Sequence, residues 1–249
     1  MDKRIENFFK SIKGKRVAFC GIGTSNLPLI ELFIKYGAVV TACDKRTREQ
    51  LGENSDIAES AGATLSLGDD YLKNLDVDIV FRTPGMRYYM DELVAMRDRG
   101  VVVTSEMELF FELCPCNIIA ITGSDGKTTT STLTSLILEE GYKGGKIYLG
   151  GNIGEPLYQK TLDMTADDTA AVELSSFQLM AMDAKFESVI ITNVTPNHLN
   201  WHTGMDEYSL AKHNVFLHQD DNGYLVTNYL YDSVKNLRSK GKTALFSIK

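Results

Sequence analysis

Apolar residues fall along this chain in two rhythms. Short β-prone runs occur at 16–20, 38–43, 77–81, 101–104, 117–122, 169–173, 188–192 and 224–227. Between them, residues 26–36, 127–140 and 206–216 place their apolar positions at helical spacing, which predicts amphipathic helices. Gly37 and Gly141 are placed to stop the first two of these helices. Strands that alternate with helices predict an α/β fold whose parallel sheet is covered on both faces. The pattern begins again near residue 117, so two domains are expected, 1–106 and 107–249, divided somewhere within 105–116. No linker rich in Pro, Gly or Ser marks the change, and no short repeat appears.

Composition narrows the class without naming it. An apolar fraction of 43% excludes a disordered chain, and 249 residues suffice for two modest domains. The net charge of −7, from 26 basic and 33 acidic residues, argues against a nucleic-acid surface while leaving room for local anion pockets. No apolar run approaches the roughly 18 residues that span a membrane. The start, Met1-Asp-Lys-Arg-Ile-Glu6, lacks the order of a secretory signal. Cys20, Cys43, Cys114 and Cys116 are scattered through apolar contexts, as suits a reducing cytoplasm. In Cys114-Pro-Cys116 the one-residue spacer argues against a zinc or thioredoxin-type site. A cytoplasmic protein with neither nucleic-acid nor membrane partners is expected, and a monomer.

Several segments carry chemistry. Gly21-Ile-Gly23 follows a strand and opens a helix, the position of a dinucleotide fingerprint, although Asn26 stands where a third glycine belongs. Asp44 ends the next strand, where a ribose-binding acid would lie, with Lys45 and Arg46 beside it to answer negative charge. A tight turn without a ligand fits the same residues. The segment Thr122-Gly-Ser-Asp-Gly-Lys-Thr-Thr129 is more specific, because an apolar strand runs into it and a helix leaves it. Gly123 and Gly126 let the backbone curl around phosphate, Lys127 supplies a point charge, and the Thr128 hydroxyl suits Mg2+. Its glycine spacing is not that of the usual phosphate loop. Glu173 ends a buried-type strand and is expected near Lys127 and Thr128, either as a metal ligand or as a salt-bridged strand end. His198 and His202 follow a third strand; one of them can join a metal or phosphate site, and His213 and His218 read as ordinary surface or core residues. Lys212, on composition alone, reads as a solvated lysine.

Taken in order, these segments, together with Gly150-Gly-Asn-Ile-Gly154 and Glu173-Leu-Ser-Ser-Phe-Gln178, resemble the Mur ligase family, and within it the D-glutamate-adding branch. The resemblance runs over essentially the whole chain. It implies a Rossmann-like first domain that binds a UDP-substrate and a P-loop ATPase-type second domain, incomplete at its C-terminal end. It implies an ATP-dependent ligase of peptidoglycan biosynthesis, and hence of cell shape and division. ATP phosphorylates the carboxylate of UDP-N-acetylmuramoyl-L-alanine, and D-glutamate attacks the acyl phosphate. On this resemblance Gly123, Ser124, Asp125, Gly126, Lys127, Thr128 and Thr129 hold ATP. Thr128 and Glu173 hold one Mg2+, while His198 and a carbamylated Lys212 hold a second. Asn152, Ser175, Gln178 and His198 contact the UDP-sugar, and Thr24, Ser25, Lys45, Arg46 and Gly85 its uridine diphosphate. Lys127, Glu173, His198 and Lys212 form the catalytic set.

Asn200 departs from the pattern, since relatives often carry an aspartate there. Family members also continue past Lys249 into a domain that binds D-glutamate and closes over ATP, so this polypeptide alone is expected to bind substrate without completing ligation. Two other readings remain open. One is a non-catalytic UDP-sugar or nucleotide-binding fragment; the other is an NAD-dependent oxidoreductase built on Gly21-Ile-Gly23 and Asp44.

Overall fold

The computed structural model describes residues 3–154 and 156–247, in two compact units, Met1–Leu113 and Cys114–Lys249. In the first unit, helix α1 (Lys3–Ser11) precedes five parallel strands: β1 (Arg16–Cys20), β2 (Val39–Asp44), β3 (Thr64–Leu67), β4 (Ile79–Phe81) and β5 (Val102–Thr104). Their order in the sheet is β3-β2-β1-β4-β5, with Cys20 beside Cys43 and Phe19 beside Phe81. Helices α2 (Leu27–Lys35), α3 (Arg48–Leu51), α4 (Glu53–Ala61), α5 (Asp91–Asp98) and α6 (Glu106–Leu113) complete the unit. Strand β1 is buried on both faces from Val17 to Cys20, which is why its sequence is a continuous apolar run and not an alternation. Phe19 stacks on Phe81 at 4.7 Å, and Phe33 of α2 meets both rings edge-on at 5.2 Å. Each such buried ring contributes roughly 1.5–3 kcal/mol. The strand order reverses between β1 and β4, the place where open parallel sheets bind ligands at their carboxyl edge.

The second unit repeats the plan with β6 (Asn117–Thr122), α7 (Lys127–Gly141), β7 (Ile147–Gly151), a 3-10 turn at Leu157–Leu162, β8 (Thr169–Glu173), α8 (Ser176–Leu179), β9 (Ser188–Ile191), α9 (Met205–Leu217), β10 (Tyr224–Asn228) and β11 (Lys242–Phe246). All six strands are parallel, in the order β11-β10-β9-β6-β8-β7. Strand β6 therefore lies between β8 and β9, and three strand ends deliver the 122–129 loop, Glu173 and Asn193 to one edge. Helix α7 ends at Gly141, within one residue of the expected limit, but Gly141 does not end it by a left-handed cap. Tyr142 leaves the helix in an extended conformation (φ −84°, ψ 126°). The last strand, β11, runs Lys242–Phe246, and residues 248 and 249 lie outside the described residues.

Candidate functional site

Neighbouring strand ends hold the loop that joins β6 to α7. Thr122 Oγ1 donates to Leu174 O at 2.8 Å. Ser124 N donates to Asn193 O at 3.0 Å and Asp125 N to Asn193 Oδ1 at 3.0 Å. The Ser124 hydroxyl donates to Thr195 O at 2.8 Å, lies 2.8 Å from Tyr208 OH, and accepts from Thr195 N at 2.9 Å. A Cβ at Gly123 would fall 1.8 Å from Thr192 Oγ1 and 3.2 Å from Asn193 O, so only glycine fits. Gly126 caps α7 in the left-handed region (φ 76°) and faces open space. The following amides precede the first bond of the helix, Thr130 N to Gly126 O, and present donors at a helix N-terminus.

Two cations converge on carbonyls of this loop. Lys127 Nζ donates to Ser124 O at 3.0 Å, and Lys212 Nζ, reaching from α9, donates to Gly123 O at 2.7 Å. Lys212 is 2% exposed and sits 4.7 Å from the Tyr208 ring centre, so the solvated reading is overturned. Burial first, and then the charge of Lys127, push its ammonium down from 10.5 to about 7, against the pull of Asp125 and Glu173. Near neutral pH it is divided between ammonium and amine.

Glu173, 1% exposed at the end of β8, accepts from Thr128 Oγ1 at 2.8 Å and from Asn152 Nδ2 at 2.9 Å. Two neutral donors do not cancel the charge of a buried carboxylate. Hydroxyl and carboxylate oxygens side by side are hard donors that suit Mg2+, so the residues fit that ion. His198 is exposed, has a left-handed backbone (φ 53°), and meets the Phe177 ring edge-on at 4.9 Å. No contact joins it to Glu173 among the described residues, which also hold no cluster of three or more His, Cys, Asp or Glu arranged for a metal. Ser175 and Gln178 are together, but as partners of each other: Ser175 N and Oγ donate to Gln178 Oε1 at 2.9 Å, and Gln178 N donates back to Ser175 Oγ at 3.3 Å. They cap α8 as a capping box.

In the first unit, the turns after β1, β2 and β4 bring Thr24, Ser25, Lys45, Arg46 and Gly85 to one sheet edge. Gly21 has a left-handed backbone (φ 96°), and a Cβ there would meet Thr83 Cγ2 at 2.3 Å. Asn26, buried, donates through Nδ2 to Cys20 O at 3.0 Å and Gly21 O at 3.1 Å, locking the turn that the third glycine would otherwise shape. Asp44 accepts from Ile22 N at 2.8 Å, Arg46 N at 2.9 Å, Arg46 Nε at 3.0 Å and Arg46 Nη2 at 2.8 Å. Its oxygens are thus engaged by its own chain, which speaks against a ribose-binding role. Arg82, which no sequence motif singles out, is 1% exposed at the end of β4. Its guanidinium has no hydrogen-bond partner among the described residues and lies 5.7 Å from the Tyr88 ring centre.

Residues 121–249 match the Mur ligase middle domain. The chain belongs to the Mur ligase family. It is 47% identical over 252 residues to the UDP-N-acetylmuramoylalanine–D-glutamate ligase of Clostridium perfringens, across 99% of this chain and 54% of that protein. The corresponding ligase of Ruminiclostridium cellulolyticum is 45% identical over 250 residues, with 99% and 53% covered. The chain thus spans about half the length of the curated relatives it matches. Among solved structures, the UDP-N-acetylmuramate:L-alanyl-gamma-D-glutamyl-meso-diaminopimelate ligase from Neisseria meningitides aligns with a TM-score of 0.59 at 16% identity, over 93% of this chain and 77% of that one. The UDP-N-acetylmuramate-alanine ligase from Thermotoga maritima gives 0.51 at 21% identity, over 93% and 53%. These two likenesses bear on the fold, and the expected succession of parallel-sheet α/β units is borne out.

This Mur ligase chain also carries a bonded trio that sequence reasoning misses. His202, 2% exposed, lies 2.9 Å through Nε2 from Ser176 Oγ and 3.0 Å through Nδ1 from Glu207 Oε1. The connectivity is that of a nucleophile triad, but Ser176 is 1% exposed in the first turn of α8 and cannot reach a substrate. The trio instead ties α8 and the segment before α9 to the first turn of α9, the helix that bears Lys212. Burial, opposed by Glu207, lowers the imidazole from its ordinary value and keeps it neutral near pH 7. A His two positions before a glycine turn and five before an acid at a helix start is the available signal. Among the described residues, no helix is long and apolar enough to cross a membrane.

Proposed function

We propose that this chain is the substrate- and ATP-binding portion of a cytoplasmic Mur ligase that adds D-glutamate to UDP-N-acetylmuramoyl-L-alanine. The observation that carries the reading is the Thr128 hydroxyl bonded to the buried Glu173 carboxylate at the mouth of a loop lined by Lys127 and Lys212. The choice of D-glutamate rests on the names of relatives 45–47% identical to the chain.

In this reading Lys127 and the first amides of α7 bind the outer phosphates of ATP and hold the transferred phosphoryl group in line with the L-alanine carboxylate. Thr128 and Glu173 would hold Mg2+, which would supply positive charge against the phosphates. Lys212, part of it unprotonated near pH 7, can attack CO2 through its amine and lose a proton. The carbamate formed is an oxygen donor that, with His198, suits a second Mg2+. In this reading Asn152, bonded to Glu173, contacts the sugar-bearing substrate, and Ser175 and Gln178 support that contact through the helix end they cap. In the first unit Thr24, Ser25, Lys45, Arg46 and Gly85 receive the uridine diphosphate.

Calorimetric titration with UDP-N-acetylmuramoyl-L-alanine, followed by ATP and Mg2+, tests the assignment. Saturable binding that UDP competes away supports it. Saturable NAD binding indifferent to UDP would replace it with an oxidoreductase reading.

A further inference from the structure

Away from the phosphate loop, at the amino-terminal end of β6, three sulfur atoms meet. Cys114 Sγ lies 3.2 Å from Cys116 Sγ, and Met164 Sδ lies 3.8 Å from the first and 3.9 Å from the second. All three residues are buried, at 7%, 8% and 6% exposure, and both cysteines are thiols. The single proline between the cysteines brings two sulfurs to the same side of the chain as it enters β6. The turn at 163–168, leading into β8, supplies the third.

The dimensions are those of a three-sulfur metal set. A soft ion held at about 2.3 Å by three sulfurs in one plane needs sulfur–sulfur separations of about 4 Å. Two edges of the triangle already match, and the third opens by less than an ångström. No oxygen competes at the nearest carboxylate: Asp168 Oδ1 accepts from Lys146 N and Oδ2 from Thr165 N, each at 2.7 Å. Two thiolates and a thioether with no imidazole or carboxylate are a poor set for zinc and a good one for a soft monovalent ion. We propose that Cys114, Cys116 and Met164 form a binding site for copper(I). Each thiol gives up its proton as its sulfur bonds the ion, while the thioether coordinates unchanged. Cys20 and Cys43, side by side on β1 and β2 in the other unit, share an apolar cluster with Met96, but among the described residues no methionine sulfur lies at hydrogen-bond distance from theirs, and they serve as the internal control.

The test is an anaerobic titration of the whole chain with copper(I) held by bicinchoninate, whose colour reports transfer. One equivalent should move to the protein, with X-ray absorption showing three sulfur neighbours at about 2.3 Å. The C114S and C116S variants should lose uptake, and C20S/C43S should keep it. Met164→Leu preserves packing and both thiols, and should weaken uptake by at least about tenfold, the lower bound for disturbing a metal's ligand environment. That variant decides the matter if the serine variants do not fold. Undiminished uptake in M164L, loss of uptake in C20S/C43S, or zinc taken in preference to copper(I) would each overturn the proposal.

Discussion

The turn after β1 and the loop after β6 share a strand–loop–helix plan, yet they arrange charge in opposite ways. In the first unit the acid at the sheet edge is answered locally. Asp44 takes two backbone amides and both faces of the Arg46 fork, and Asn26 ties the turn to its own strand. In the second unit the charges are left for something else to answer. Among the described residues, Lys127 and Lys212 donate only to loop carbonyls, and Glu173 receives a hydroxyl and an amide but no cation at hydrogen-bond distance. Around Asp44 the acid is already satisfied, so a ligand at that edge meets the remaining donors; at the loop after β6, charge is left over that a ligand would complete. The lesson is that a glycine turn at a strand end says little until the partners of its nearest charges are known.

The largest response expected is that of Lys212 to pH. Its folded value is depressed, so the folded state binds fewer protons than the unfolded one between pH about 7 and 10.5. The penalty for burying the ammonium is therefore full below about pH 7 and is relieved as pH rises towards 10.5. Thermal melting across that window should show the wild type gaining stability relative to Lys212→Met; parallel curves would mean the lysine is solvated after all.

Asp44→Ala comes next. It strips four donors of their acceptor and should cost about 3 kcal/mol, read from denaturant unfolding of the first unit. The acid side gives a second reading of the same residue. Burial pushes the Asp44 carboxyl up, but the bonds from Arg46 and Ile22 outweigh it and hold the group below its ordinary value. Its contribution is present above the unfolded value of about 3.9 and is lost as pH falls through the folded one, so Asp44→Asn should flatten that acid limb.

His202→Phe should cost about 2 kcal/mol by leaving Ser176 and Glu207 without their shared partner, and an unchanged melting temperature would remove the trio from the scaffold of the open loop. The smallest effect is a gain. Gly141 is helical, has no left-handed backbone, and has nothing within 4 Å of the place an added methyl would occupy. Gly141→Ala should therefore stabilise by about 0.5–1 kcal/mol, read from the same denaturant unfolding.

Much of this is legible because parallel strands announce themselves. The runs at 16–20, 117–122 and 169–173 are apolar and continuous, and each forms a strand with those limits. The strand Ile147–Gly151 is not legible, since its two glycines carry no β signal; they are there because a Cβ at Gly150 would strike Leu157 at 2.6 Å and one at Gly151 would strike Glu173 O at 2.3 Å. Lys212 misleads when judged by its chemistry alone. Its position tells more: Tyr208, Ala211, Lys212, Val215 and Phe216 form one buried helical stripe, and the lysine occupies a core place in it. Ser175 and Gln178 have the spacing of a capping box, a local signal overshadowed by the family pattern. What no single-chain pattern can reveal is that the Ser124 hydroxyl turns inward to Tyr208, because that contact joins residues 84 apart in sequence.

The central claim is that the loop after β6 is the open one of the pair. Equilibrium titration of the whole chain with Mg2+ and a fluorescent ATP analogue, repeated on Lys127→Met and Lys45→Ala, tests it most directly. The account predicts saturable binding that weakens by about 10- to 100-fold in K127M, the worth of a charged hydrogen bond, and is unchanged in K45A. Equal affinity in the wild type and K127M, or loss of ATP binding in K45A, would contradict it.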